Sequence, residues 1–289
     1  MPELELYEYV YRGYMVVSGW EARDIASRCP GQGTTTGGAW WSCSGGEVTL
    51  AHGAWRTRLG VEQLASTRPE YYYVATAGRL MPLELRVDGY MRLHSPRPGP
   101  PTLMINGLVM HRVAETDPIR DAEAKVKAAR VGRHHRVLDI CTGLGYTAAA
   151  SLSRGAGVVS IELRREVLAI AEANPYASRL MLNKATIIRG DAVEVVEALA
   201  DESFHRIIHD PPRFNVAGEL YSASFYHHLY RVLRPGGILF HYTGEPMKTR
   251  GRGHGPVVRG VIERLRRVGF HVVGYDGRAL GVVARKPRR

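Results

Sequence analysis

Long apolar runs are missing from this 289-residue chain. No stretch approaches the roughly 20 residues that a helical membrane span needs, so no membrane partner is expected. The opening MPELELYEYV lacks the basic start and apolar core of a signal peptide. Cysteine is scarce: Cys29, Cys43 and Cys141 are odd in number and have no metal-type spacing, which reads as a reduced, cytoplasmic protein. The histidine pairs His134-His135 and His227-His228 lack ligand spacing as well, so no metal site is expected. Lysine is the minor base. Arginine supplies 34 of the 39 basic residues, and its planar fork matches phosphate oxygens. A genome that favours arginine everywhere accounts for the same excess, and both readings stay open.

The net charge is +11 and unevenly placed. From Glu245 to Arg289 twelve Lys or Arg stand against Glu245, Glu263 and Asp276, which is +9 and leaves about +2 for everything before. The bases fall in KTRGRGHG (248–255), ERLRRVG (263–269) and RKPRR (285–289). A cluster of this kind suits an acidic partner, RNA or another polyanion. Arg250 and Arg252, in the glycine-rich first stretch, are the bases expected to hold its phosphates.

At 45% hydrophobic the chain can fill a substantial core. Two characters divide it, and the expected domains are 1–115 and 116–289. The first is rich in Tyr, Gly, Trp and short β-prone runs, and reads as a small β-rich extension of low regularity. VDGY and INGL are hairpin signals, because Asp-Gly and Asn-Gly accept the positive φ of tight turns. CPGQGTTTGG (29–38) reads as a loop, and SPRPGPP (95–101) as a stiff connector. Trp40-Trp41 fits a stacking surface for bases, or else core or an oligomer contact; a homodimer is left open. From Asp117 onward strands and helices alternate: RVLDI, GVVSIE, TIIRG, HRIIHD and ILFHYTG as strands, with RPGG stopping the helix before the last, and HVVGYDG with ALGVVARK as a closing hairpin. The expected fold is α/β: a Rossmann-like, doubly wound, seven-stranded, mostly parallel sheet with a C-terminal antiparallel hairpin.

Three motifs in this half mark ligand positions. VLDICTGLGYTA (137–148) is a strand, a glycine turn and a helix start. Gly143 and Gly145 let the backbone turn tightly and approach a ligand. Glu162 ends the second strand, nineteen residues past Gly143, where an acid accepts from ribose hydroxyls. Asp191 follows the third strand, where it accepts from an adenine amino group or simply caps a helix. NAD and S-adenosylmethionine are both compatible with these three. The fourth motif, HDPPRF, separates them. Two prolines end the fourth strand at Asp210 and stiffen the turn beyond it, which leaves an acid where open α/β sheets bind ligands. His209 and His241 end neighbouring strands, and each is either a group titrating near neutral pH or a core histidine.

The ordered set of glycine motif, acidic strand tip, Gly-Asp-Ala, acid-Pro-Pro and Leu-x-Pro-Gly-Gly resembles the class I S-adenosylmethionine-dependent methyltransferases over residues 137–289. More narrowly, VLDICTGLGYTA with HDPPRFNVAGELYSASFYHHLYRVLRPGGILFHY is similar to a family of predicted methyltransferases known chiefly from archaea. The resemblance implies S-adenosylmethionine held by Asp139, Cys141, Thr142, Gly143, Gly145, Tyr146, Glu162, Leu163, Asp191, Ala192 and Asp210. It implies an acceptor site at Asp210, Pro211, Pro212, Arg213 and Phe214. Amino-methyltransferases carry an aromatic where Arg213 stands, so Phe214 or Arg213 itself would stack on the acceptor. The same resemblance implies transfer to an amino or other nitrogen. GELYSASFYHHLYRVLRPGGIL also resembles spermidine synthases, which implies aminopropyl transfer to a polyamine as the rival activity, although their Gln and Asp-Glu-x-x-Tyr-His-Glu pattern is missing. A non-catalytic nucleic-acid-binding module on the same fold is the third reading.

Overall fold

A computed structural model describes residues 4–10, 14–176, 184–244 and 255–288. The chain divides into two compact units, one of Met1–Tyr9, Ile119–Arg165 and Asn183–Arg289, the other of Val10–Pro118 and Glu166–Leu182. The segment with Arg250 and Arg252 lies outside the described residues.

The first unit is built on one eight-stranded sheet, ordered Glu5–Tyr7, Ala185–Arg189, Gly157–Glu162, Arg136–Ile140, Phe204–His209, Leu233–Tyr242, Gly281–Arg285, His271–Asp276. The middle five strands are mutually parallel, and the last two form the expected antiparallel hairpin. The eighth strand was not expected. Glu5–Tyr7 pairs antiparallel with Ala185–Arg189, and the Arg189 guanidinium binds the Glu5 carboxylate. The strand Leu233–Tyr242 also starts earlier than the sequence suggests. It runs through Arg234-Pro235-Gly236-Gly237, and the pairing jumps from Phe204↔Leu233 to Arg206↔Ile238. RPGG is thus an irregularity inside a strand, and the helix before it stops at Val232. A Cβ on Gly237 would lie 2.7 Å from the Leu233 side chain, so only glycine lets the chain fold back so tightly there.

Helices cover the sheet with apolar stripes. In Ala223–Val232 the buried set is Phe225, Tyr226, Leu229 and Val232; in Pro256–Val268 it is Val258, Val261, Leu265 and Val268. Both repeat every three to four residues, as one helix face requires. Pro256 opens the second of these helices, and Gly269 at φ 111° closes it.

The second unit carries three antiparallel sheets and is more regular than its sequence suggests. VDGY and INGL turn as expected, with positive φ at Asp88, Gly89, Asn106 and Gly107. The supposed loop CPGQGTTTGG contains a strand, Gly31–Thr34, paired with Trp40–Ser44. Isolated glycines weaken a strand signal, but pairing on a neighbour supplies what propensity lacks. A helix at Gly19–Ser27 was also missed. Its capping box is legible as Ser18-x-x-Glu21: Glu21 N–H donates to Ser18 Oγ, and Ser18 N–H to Glu21 Oε2, each at 3.1 Å.

Cys29 and Cys43 form a disulfide, with Cα atoms 5.3 Å apart, so the expectation of three reduced cysteines is corrected. Linear spacing did not reveal it. The antiparallel register sets Gly31 opposite Cys43, which brings Cys29 within reach. Replacing both with alanine should lower stability by about 3 kcal/mol, the chain-entropy value for a loop of about 15 residues. The shift in urea midpoint checks this, and reductant on the wild type should reproduce it. Identical midpoints with and without reductant would refute the bond.

Candidate active site

The sheet order reverses beside the strand Arg136–Ile140. The chain runs outward from it to Gly157–Glu162 and Ala185–Arg189, then returns to Phe204–His209 on its other side. In open α/β sheets such a reversal opens a crevice at the carboxyl ends of the strands. Backbone bonds assemble its rim: Cys141 N–H and Thr142 N–H donate to Ile161 O at 3.0 Å, Gly190 N–H to Glu162 O at 3.0 Å, and Asp210 N–H to Ile140 O at 3.3 Å.

The glycine loop sits at this rim. Gly143 and Gly145 have φ of 54° and 81°, and Gly145 N–H donates to Thr142 O at 2.8 Å to start the helix Tyr146–Ser153. Cys141, with a Cβ, also adopts φ 70°. Left-handed backbone at a non-glycine residue costs about 1 kcal/mol or more, and such strain gathers at functional loops. Burial, with Glu162, Asp210, Asp139 and Asp191 nearby, raises the Cys141 thiol pKa well above its ordinary value. It is a neutral packing group.

Glu162 is buried at its strand tip. Gly143 N–H donates to Oε2 at 2.9 Å and Arg164 N–H to Oε1 at 3.1 Å. Burial raises its pKa, and these amides pull the other way. The Leu163 amide acts on it as well, so three backbone amides align the carboxylate, and it keeps acceptor capacity for a ligand hydroxyl. Asp139 is wholly buried. Its Oδ2 accepts from Ser160 Oγ at 2.7 Å, while Oδ1 has no hydrogen-bond partner among the described residues. Burial pushes its pKa up to about 7, and the Ser160 hydroxyl opposes the shift. Thr142 Oγ1 lies 2.6 Å from Ser160 Oγ and extends this network. Tyr146 and Ala192 are buried, while Leu163 is 59% exposed beside Glu162. Asp191 makes the helix cap, with Oδ1 accepting from Val193 N–H at 2.7 Å.

Asp210 has a partner that sequence reasoning missed. Lys125, on the helix Pro118–Ala128, donates to Asp210 Oδ2 at 2.6 Å and to Asp121 Oδ2 at 2.8 Å. Its ammonium also lies 4.3 Å from the centre of the Tyr242 ring. Lys125 and Asp121 side chains are 5% and 3% exposed, Asp210 19%. Burial works against the lysine's charge, but Asp210 and Asp121 outweigh it and raise the pKa. For Asp210, burial raises the pKa and Lys125 limits the rise. The i,i+4 pair Asp121/Lys125 is visible in DAEAK, yet such pairs usually mark solvated helix faces.

The four residues after Asp210 separate into two kinds. Pro211 is buried and Pro212 half-buried, while Arg213 and Phe214 are exposed. Tyr221 OH donates to Pro212 O at 2.9 Å, and the Phe214 ring stands edge-on to Tyr221 at 5.3 Å. Arg213 O accepts from Val216 N–H at 2.8 Å and turns the loop.

His209 and His241 are core residues, not proton carriers at neutral pH. Both are wholly buried, with rings 4.3 Å apart. Burial pushes His209 down to about 4, and drives His241 well below its usual range. His209 Nε2 lies 2.9 Å from Leu220 O, while its Nδ1 has no hydrogen-bond partner among the described residues. His241 Nε2 pairs with Tyr226 OH at 2.7 Å and Nδ1 with Tyr242 O at 2.8 Å, which satisfies a neutral imidazole. Burial of a neutral ring fixes the sign of the pH effect. The unfolded histidine takes its proton near 6.5 and the folded one near 4, so the unfolded state binds more protons between them and stability falls as pH drops through that window. His209→Gln should remove that residue's share of the loss between about pH 6.5 and 4, leaving the share of His241 and the opposite contribution of Asp139, without changing the slope above the window. Urea midpoints on either side of the window check this.

Trp40-Trp41 does not form a joint surface. Neighbouring strand residues face opposite ways, and Trp41 is core while Trp40 is 42% exposed.

Residues 137–237 match the methyltransferase domain family. An uncharacterised protein of Methanocaldococcus jannaschii is 44% identical over 229 residues, 79% of this chain and 77% of that protein. The ribosomal RNA large subunit methyltransferase I of Citrobacter koseri is 29% identical over 136 residues, 44% of this chain but only 34% of that enzyme. Among solved structures, spermidine synthase in complex with the transition state analogue AdoDATO aligns with a TM-score of 0.54 at 17% identity, covering 74% of this chain and 77% of that one. Spermidine synthase from Thermotoga maritima aligns at 0.51 and 17%, covering 74% and 76%. At such identities the likeness is one of fold. No described helix is long and apolar enough to cross a membrane.

Proposed function

We propose, since the chain belongs to the class I S-adenosylmethionine-dependent methyltransferases, that it methylates an amino nitrogen of RNA, with Asp210 receiving the acceptor. The observation that carries this reading is the placement of Asp210 at the sheet's reversal, one oxygen taken by Lys125 and the strand ended by two prolines. The ribosomal RNA methyltransferase relative and the basic C-terminal stretch support RNA as the acceptor class.

The chain's groups fit S-adenosylmethionine. Glu162, pre-aligned by Gly143, keeps acceptor capacity for a ribose hydroxyl. Asp139 keeps a buried oxygen with no hydrogen-bond partner among the described residues. Gly143 and Gly145 admit close approach, and Asp191, Leu163 and Ala192 are the residues that would hold the adenine. When bound, the cofactor supplies an electrophilic methyl group. The acceptor amino group would donate to the second oxygen of Asp210 and to a carbonyl of the Pro211-Pro212 turn, where Tyr221 OH already fixes the Pro212 carbonyl. This orients the nitrogen lone pair for attack, and positioning of that kind supplies most of the acceleration. The bound cofactor would supply the methyl as its S–C bond breaks, the thioether being the leaving group, and the nitrogen's proton would pass to solvent. Phe214 offers an exposed ring for a base to stack on.

The second reading, aminopropyl transfer to a polyamine, draws on the spermidine synthase fold. A polyamine needs unneutralised carboxylates, and a buried ammonium already holds both Asp121 and Asp210. The deciding experiment supplies methyl-labelled S-adenosylmethionine to the protein with cellular RNA, protein and small-molecule fractions. Label in RNA is the expected result; label only in the small-molecule fraction would overturn the RNA reading. Glu162→Ala should weaken cofactor binding by about 1–3 kcal/mol, the cost of hydroxyls left unpaired, as read by calorimetry.

A further inference from the structure

The four-stranded sheet of the second unit has one face that folding does not explain. Its strands Gly31–Thr34, Trp40–Ser44, Glu47–His52 and Trp55–Gly60 pair in sequence order. One face, with Trp41, Cys43, Val48, Leu50 and Leu59, is core. On the other face the register sets Trp40 opposite Ala51 and Ala51 opposite Arg56, with Ser42, Thr49 and Arg58 forming the next row. The residues between the ring and the guanidiniums are small, so the middle of the face is low. Trp40 is 42% exposed, and both arginines are exposed. Neither Arg56 nor Arg58 makes an ion pair or side-chain hydrogen bond among the described residues. The carboxylate in these rows, Glu47, stands at the far end and bonds to neither.

We infer that this face binds single-stranded RNA, a base stacking on Trp40 while Arg56 and Arg58 hold the adjoining phosphates. The inference rests on the reading of RNA as the acceptor class and adds where the strand is gripped. Strands lie about 4.8 Å apart, so Trp40 and Arg56 are about 10 Å apart across one intervening strand, within reach of a long arginine side chain. An open aromatic beside unpaired positive charge is the combination that grips single strands with little regard to sequence. Guanidiniums match phosphate oxygens as forks. A protein partner would leave the two unpaired charges seeking carboxylates, whereas a polynucleotide supplies a phosphate at every residue.

The test is binding of a short fluorescein-labelled single-stranded RNA of mixed A and U to the full chain, by anisotropy over a salt series, without S-adenosylmethionine. Trp40→Ala should weaken binding roughly tenfold or more, the range of one lost base–aromatic stack, and Trp40→Phe should restore most of it. Arg56→Ala/Arg58→Ala should flatten the log–log salt slope by about 1.4 units, two single-strand phosphate contacts. Circular dichroism confirms that the variants fold. Wild-type affinity and slope in both variants would overturn the proposal. So would a Trp40→Ala change that converts a dimer to a monomer while RNA affinity holds, since the face would then belong to a second copy. The acceptor reading fails separately: RNA that binds through this face but takes no methyl label leaves the face standing and removes the acceptor.

Discussion

Asp210→Ala is expected to lower methyl transfer by about 100-fold or more, as loss of one positioned acceptor group does in other sites, while cofactor affinity stays within a few-fold of wild type. The asymmetry comes from position. The glycine loop follows the strand Arg136–Ile140 and Glu162 ends Gly157–Glu162, and their hydrogen bonds do not involve Asp210. Asp210 sits at the tip of the fourth strand, with one oxygen taken up by Lys125. The fold should tolerate the change, because Lys125 keeps Asp121 as its counter-ion at 2.8 Å. Transfer to the RNA fraction that accepts label, together with calorimetry of the cofactor, separates the two effects. A variant that binds cofactor normally and transfers within tenfold of wild type would show that Asp210 does not touch the acceptor.

Lys125→Met is expected to destabilise the first unit by about 3–5 kcal/mol, the usual cost of breaking a buried pair from one side. The change leaves two buried carboxylates facing each other with no cation. Both would then hold their protons to higher pH than in the unfolded chain. The penalty is therefore fully present at neutral pH and shrinks as pH falls and they protonate. Urea midpoints at neutral and mildly acidic pH read this directly. Methionine keeps the length of the lysine stem, so lost packing contributes little. A variant as stable as wild type at neutral pH would mean that Lys125 is solvated and does not bridge the two acids. The same variant leaves both Asp210 oxygens without the ammonium, so its residual transfer rate reports how far charge on that residue matters to the acceptor.

The sequence by itself determined what depends on local spacing. The alternation of short β-prone runs with helical stretches placed the strands from residue 136 onward close to where they lie. Asp88-Gly89 and Asn106-Gly107 placed two hairpins, because a positive φ requirement is a property of the residue itself. The glycine loop, Glu162 and Asp210 were legible because each stands at a strand end that its own neighbours terminate. What only the tertiary structure decided concerns partners distant in sequence. Glu5–Tyr7 joins the sheet through a strand some 180 residues away. Gly31–Thr34 is a strand only because Trp40–Ser44 pairs with it, and the Cys29–Cys43 bond comes from that register. Lys125 reads as half of an ordinary helix pair until the fold buries it against Asp210, 85 residues away in the chain. His209 and His241 reveal their neutral state only once the protein around them excludes water, since a pKa depends on burial that no spacing records.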